Sequence, residues 1–146
     1  MAKRQHEKSL QTRQELMVAA LALFRSNGFL NTSIAEITEQ AGYAKGNFYR
    51  HWKSKNELFL SIMAERLRYY RAQREPALAQ AQNIEDVTQV VLDFLETIID
   101  DATWYKVFLE FTVHAYDDEQ VRAKLNDSRY RLSSDLFTQL FSPFIP

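Results

Sequence analysis

An all-α fold is predicted by three features of this 146-residue sequence. Apolar residues recur at three- and four-residue steps, no run alternates apolar and polar residues as a half-buried strand does, and serine–glutamate pairs three residues apart stand where periodic runs begin. The 46% apolar and 13% aromatic content suffices for one compact domain, or for two small helical units sharing an interface.

Taken in order, the run Ser9 to Ser26 places Leu16, Ala19, Ala20, Leu23 and Phe24 on one buried stripe, and Gly28 supplies a left-handed stop. Ser33 with Glu36 forms a capping box for a second helix whose inner face is Ile34, Ile37 and Ala41, ended by Gly42. A third helix, Ala44 to Trp52, is expected to bury Ala44, Phe48 and Trp52. A second box, Ser54 with Glu57, opens a long helix through Leu58, Ile62 and Leu67 that should end near Pro76. Three further helices come after it, over Ile84–Asp101, Thr103–Tyr116 and Asp118–Phe141. Their stripes are Val87, Val91, Phe94, Leu95 and Ile98, then Trp104, Phe108 and Phe111, then Val121, Leu125, Leu132, Leu136 and Leu140. All three glycines fall in the first 50 residues and all three prolines later, which divides the chain into residues 1–53 with short helices and 54–146 with long ones.

Charge is divided in the same way. Residues 1–55 hold 9 Lys/Arg against 4 Asp/Glu, and residues 56–146 hold 9 against 15, so a net charge of −1 conceals a basic end and an acidic remainder. A local positive patch releases counterions from phosphate and steers encounter with nucleic acid. Cysteine is absent, which removes disulfide frameworks and thiolate metal sites and is compatible with a reducing cytoplasm. Met1 to Leu16 lacks the apolar core of a signal peptide, and the most apolar stretch, Val87–Ile99, is too short to span a bilayer, so no membrane partner is expected.

The run Asn31 to Phe59 carries most of the functional information. It reads as two short helices joined by a glycine turn, the second exposing Lys45, Gly46, Asn47, Tyr49, Arg50 and His51, which is the layout of a helix that enters a DNA major groove. An amide pairs in two places with adenine, so Asn47 is the candidate for base readout, with Lys45 donating to guanine or phosphate. Gly46 permits close backbone approach, and Tyr49, His51 and Lys55 are candidates for phosphate, as are Thr32 and Ser33 at the start of the preceding helix. Lys3, Arg4, Lys8 and Arg13 form a basic N-terminal arm, of a kind that either reaches the neighbouring minor groove or remains a disordered tail.

Phe24 through Gly28, TSIAEITEQAG from Thr32 and AKGNFYRHWKSKNELF from Ala44 resemble the DNA-binding region of TetR-family transcriptional regulators over residues 10–60. FLEFTVHAYDDEQVRAKL, from Phe108 to Leu125, resembles that family's sixth and seventh helices. The resemblance implies an all-helical homodimeric repressor that binds a palindromic DNA operator and is released by a small-molecule effector in its C-terminal domain. By position, Lys45, Gly46, Asn47, Tyr49 and His51 match recognition-helix contacts, Lys55 a phosphate contact, and Thr32 and Ser33 contacts at the start of the second helix. Arg50 and Trp52 depart from the family's usual residues, which bears on operator preference rather than fold. Family members continue through two further helices that build the dimer interface, whereas this sequence stops after the seventh; it is therefore expected to be a fragment of a longer regulator or a short form with altered dimerisation.

For the C-terminal part, Tyr70, Trp104, Phe108 and Phe111 are candidates to line an effector pocket, against the ordinary reading of aromatics at helical spacing as core. Glu110 and His114 lie four apart with Asp117 close behind, a spacing able to hold a metal ion, although a surface or buried polar pair is the commoner use and no metal or cofactor is expected. No Ser-His-Asp set, phosphate loop or paired carboxylates with a base emerges, so an enzyme is not expected. The alternative is a helical protein-interaction or ligand-binding module without DNA binding.

Overall fold

The computed structural model describes residues 1–126 and 141–145, without the side chain at position 98. The described residues form seven α-helices and a short 3-10 turn, with no strand among them: α1 (Ala2–Asn27), α2 (Ile34–Ala41), α3 (Lys45–Tyr49), α4 (Lys55–Gln80), α5 (Ile84–Asp100), α6 (Ala102–Tyr116) and α7 (Glu119–Leu125), then Ser142–Phe144. Two compact units result, Met1–Ile62 with Lys106–His114, and Met63–Tyr105 with Ala115–Pro146, so the division falls within α4 and within α6.

The first unit is built on an aromatic cluster. Phe24, Phe29, Phe59 and Phe111 are all fully buried. Phe59 stacks on Phe111 at 4.1 Å between centroids, and Phe29 meets Phe24, Phe59 and Phe111 at 5.2 to 5.4 Å. Aromatic pairs in these geometries each add roughly 0.5–1.5 kcal/mol beyond the area they bury. The stripe expected on α1 is present, with Leu16, Ala19, Ala20 and Phe24 inside. The helix itself is longer than its apolar pattern, since it starts at Ala2, so Lys3, Arg4 and Lys8 of the basic arm lie on an exposed helical extension, while Arg13 is half-buried.

Local signals explain most of the remaining boundaries. The Ser33–Glu36 box closes in both directions, and Gly42 ends α2 in the left-handed conformation at φ 77°. Ser54 Oγ accepts the Glu57 amide as expected, but the Glu57 carboxylate turns back to the Lys53 amide (2.8 Å) rather than to Ser54. Helix α3 stops at Tyr49; Trp52 is nonetheless buried, because its amide and that of His51 both donate to the Phe48 carbonyl and fold the chain inward. Ala44 is exposed, not buried, since it occupies the extended N-cap position that begins α3. Pro76 lies inside α4 and does not end it; only four residues of the helix lie beyond it, a stretch short enough for one lost backbone bond near a helix end to be tolerated.

In the second unit, α5 is started by Asn83, whose side chain accepts the Asp86 amide (2.9 Å) while the Asp86 carboxylate accepts the Gln82 amide (2.9 Å). Asp101 caps α6 through the Trp104 amide, and Asp118 caps α7 through the amides of Gln120 and Val121. Val87, Trp104 and Val121 are buried as their stripes required, whereas Leu95 is 45% exposed. Of the stripe expected over Asp118–Phe141, Leu132, Leu136 and Leu140 lie outside the described residues.

Candidate nucleic-acid interface

The turn between α1 and α2 sets the start of the helix pair. Gly28 takes φ 85° and ψ 161°, a region essentially reserved for glycine and different from the left-handed stop its position suggested. An added Cβ there would lie 2.9 Å from a Glu110 carboxylate oxygen. That carboxylate, from α6, accepts the amides of Phe29 (3.0 Å) and Leu30 (2.9 Å). From the other side, Lys55 Nζ donates to the carbonyls of Phe29 (2.7 Å) and Thr32 (2.8 Å) and lies 4.4 Å from the centre of the Phe29 ring. Glu110 and Lys55 thus clasp the donors and acceptors of one turn. Burial holds the Lys55 pKa below the usual lysine range, opposed by the negative charges of Glu110 and Glu36.

The clasp also positions Thr32 and Ser33. Thr32 is buried, with its hydroxyl donating to the Gly28 carbonyl (2.8 Å), and Ser33 is exposed at the N-terminus of α2 with its hydroxyl in the capping box. Of these two hydroxyls, Ser33 is the one at the surface; Thr32 is already an internal strut. Between α2 and α3, Tyr43 donates to Glu15 of α1 at 2.5 Å, tying the glycine turn to the first helix.

Helix α3 presents Lys45, Gly46, Tyr49 and the adjoining Arg50 to solvent, while Phe48 anchors its inner face. Asn47 is half-buried, and its amide nitrogen makes a 3.3 Å bond to the Ala44 carbonyl at the start of its own helix. His51 is half-buried against Trp52, whose indole donates to Ser61 (2.9 Å) and lies under the Arg13 guanidinium at 5.2 Å. Burial first, then the charges of Arg13 and Arg50, hold the His51 pKa below the usual histidine range. Gly46 has nothing within 4 Å of a would-be Cβ and no positive φ, so the fold itself does not require glycine there.

Lys45, Gly46, Asn47, Tyr49 and His51 are therefore brought together on one short helix and its exit, and Ser33 stands at the N-terminus of the preceding helix. Such a face carries an amide, an ammonium, a phenol and an imidazole, groups able to donate hydrogen bonds to a polyanion. Lys55 is set apart, its ammonium directed into the clasp. Sequence reading missed Glu110 as a turn acceptor; its partners lie 81 and 80 residues away, and its helical spacing to His114 pointed to an ordinary polar pair. No group of three or more metal-ligating side chains is found among the described residues.

The four aromatic candidates for effector binding fall in different units, Tyr70 and Trp104 in the second and Phe108 and Phe111 in the first. Tyr70 lines a cavity between α4 and α5, and Trp104 lies beneath Arg66. Phe111 belongs to the aromatic core of the first unit, as does the segment that carries Phe108. No described helix is long and apolar enough to cross a membrane.

Residues 16–62 match the family described as bacterial regulatory proteins, tetR family. The chain is 39% identical to the HTH-type transcriptional regulator AcrR of Shigella flexneri over 62 residues, which are 42% of this chain and 29% of that one. It is 27% identical over 139 residues to the uncharacterized HTH-type transcriptional regulator TtgW of Pseudomonas putida, covering 95% and 98% of the two chains. The FadR of Thermus thermophilus, a TetR-family repressor solved in complex with lauroyl-CoA, superimposes with a TM-score of 0.70 at 23% identity over 90% of this chain and 66% of that one, which shows the fold. In the first curated relatives the matched part is between 27% and 47% of their length.

Proposed function

We propose that this chain, which matches the tetR family of bacterial regulatory proteins over residues 16–62, acts as a ligand-responsive transcriptional repressor that recognises a palindromic operator as a dimer. The observation that carries the reading is the face of α3: Lys45, Tyr49 and Arg50 exposed, Asn47 half-exposed, and a glycine at 46 that the fold does not require. A side-chain-free position in the first turn of a groove-facing helix lets its backbone approach a duplex. Asn47 and Lys45 read base edges, while Tyr49, His51, Ser33 and the amides at the start of α2 hold phosphates. Thr32 acts from inside the turn, and Lys55 contributes charge at the edge of the same surface while holding the turn. The regulator is expected in the cytoplasm.

A small molecule releases the operator by favouring a conformation that binds DNA less well; a ligand with equal affinity for both conformations changes nothing. The alternative, a helical module without DNA binding, lacks a reason for the exposed basic face of α3. Selection of bound duplexes from a random pool tests the reading: an enriched, two-fold symmetric half-site pair supports a dimeric operator binder, and no enrichment over the input pool rejects it.

A further inference from the structure

Two arginines on α4, Arg66 and Arg74, stand eight residues apart, each over an aromatic ring, and among the described residues only Arg66 has side-chain acceptors. Arg66 lies 4.4 Å from the centre of the Trp104 ring, and its Nη2 donates to the Asp101 carboxylate (2.6 Å) and to the Tyr70 hydroxyl (2.7 Å). Arg74 lies 4.1 Å from the centre of the Phe94 ring, and among the described residues it has no carboxylate within ion-pair distance. Its Nε is buried without a hydrogen-bond partner, as is that of Arg66, but Arg66 has a carboxylate and a hydroxyl on its Nη2. Burial, and after it the like charge of Arg71, disfavours the charged form of Arg74. Holding the Nε of a half-buried guanidinium away from water without an acceptor is costly, and the bidentate geometry of its fork suits a carboxylate.

Arg74 lines the α4–α5 cavity, whose volume is about 370 Å³, within the range that takes small ligands. Tyr69, Tyr70, Val90, Phe94 and Ala77 supply its apolar wall, and three of those five are aromatic. Asp93 also lines it, with one oxygen taken by the Gln89 amide at 2.6 Å. Its negative charge disfavours a ligand with a second anionic group.

We infer that this cavity binds an aromatic monocarboxylate, whose anion stands beside Arg74 as Asp101 stands beside Arg66 while its ring packs on the tyrosines and Phe94. This rests on the effector part of the proposed function and gives that effector a chemical class. Specificity arises from the pairing: the neutral amide of the same ring leaves Arg74 without its anion, and a dicarboxylate meets Asp93.

Calorimetric titration of the chain with benzoate and 2-naphthoate, beside 2-naphthamide and phthalate, tests the inference. At least one of the two monocarboxylates is expected to bind one per chain, at least tenfold more tightly than 2-naphthamide. Arg74→Met, which keeps the apolar stem over Phe94, is expected to abolish that preference, and Arg74→Lys to restore part of it. Absence of saturation by both monocarboxylates up to about 1 mM, or equal binding of acid and amide to the unaltered chain, overturns the inference without requiring any variant to fold. Undiminished binding to Arg74→Met overturns it as well. Operator affinity measured in the same samples separates the two readings. A carboxylate that binds through Arg74 without altering DNA affinity upholds the site and rejects the effector role, whereas intact DNA binding with no carboxylate bound rejects the site alone.

Discussion

Replacing Glu110 by alanine removes both acceptors of the turn between α1 and α2. The Phe29 amide, 3.0 Å from the carboxylate and partly buried, is left without a partner, and the Leu30 amide, 2.9 Å away and exposed, turns to water. A charge-assisted bond to a partly buried donor contributes about 1.5–3 kcal/mol and one to an exposed donor about 0.5–1, so the loss should be about 2–4 kcal/mol. Lys55 also loses the carboxylate that opposes its desolvation, which adds in the same direction. Glu110→Gln retains one acceptor oxygen and should lose about half as much. Urea unfolding monitored by tryptophan fluorescence reads both changes as shifts in midpoint at constant slope. A loss below about 0.5 kcal/mol for the alanine variant, the size of an ordinary surface change, would refute the clasp as a determinant of the turn.

Gly28→Ala places a methyl 2.9 Å from Glu110 at a φ of 85°, so a destabilisation of about 1–3 kcal/mol is expected in the same urea assay; pairing it with Glu110→Ala should relieve the steric part. His51 has a lowered folded pKa, so unfolding takes up protons between that value and 6.5; its contribution to stability is present above 6.5 and is lost as pH falls. Phosphate contact raises that pKa again, so DNA affinity should increase as pH falls through the same window, and His51→Gln should flatten the profile. Lys55→Met should lower stability by about 1–3 kcal/mol through the carbonyls of Phe29 and Thr32. It should also weaken all DNA sequences together, lowering the salt slope by about one; an unchanged slope would confine Lys55 to the turn.

What sequence reading captured is what is local. Capping at Ser33 and Ser54, the stop at Gly42 and the outward set Lys45, Gly46 and Tyr49 depend on residues within one or two turns of each other. Trp52 was correctly expected inside, yet by continuation of a helix that in fact ends at Tyr49, because the Phe48 carbonyl takes two amides in succession. Ala44 was misplaced because a four-residue step identifies a face only inside a helix, and Ala44 stands at its boundary. The use of Glu110, the burial of the Thr32 hydroxyl and the orientation of Lys55 depend on contacts made between separate elements. No periodicity within α6 distinguishes a turn-binding carboxylate from a surface one.

Recognition of DNA by the exposed face of α3 is the central claim, and Asn47→Ala tests it most directly. Affinity should be measured for the unaltered chain and the variant on a selected operator, on single-base substitutions of it and on random duplex. The expected result is a loss of about 1–3 kcal/mol on the operator, no change on random duplex, and relaxed preference at one base position per half-site. An equal loss on operator and random DNA, or preference retained at every position, would contradict it.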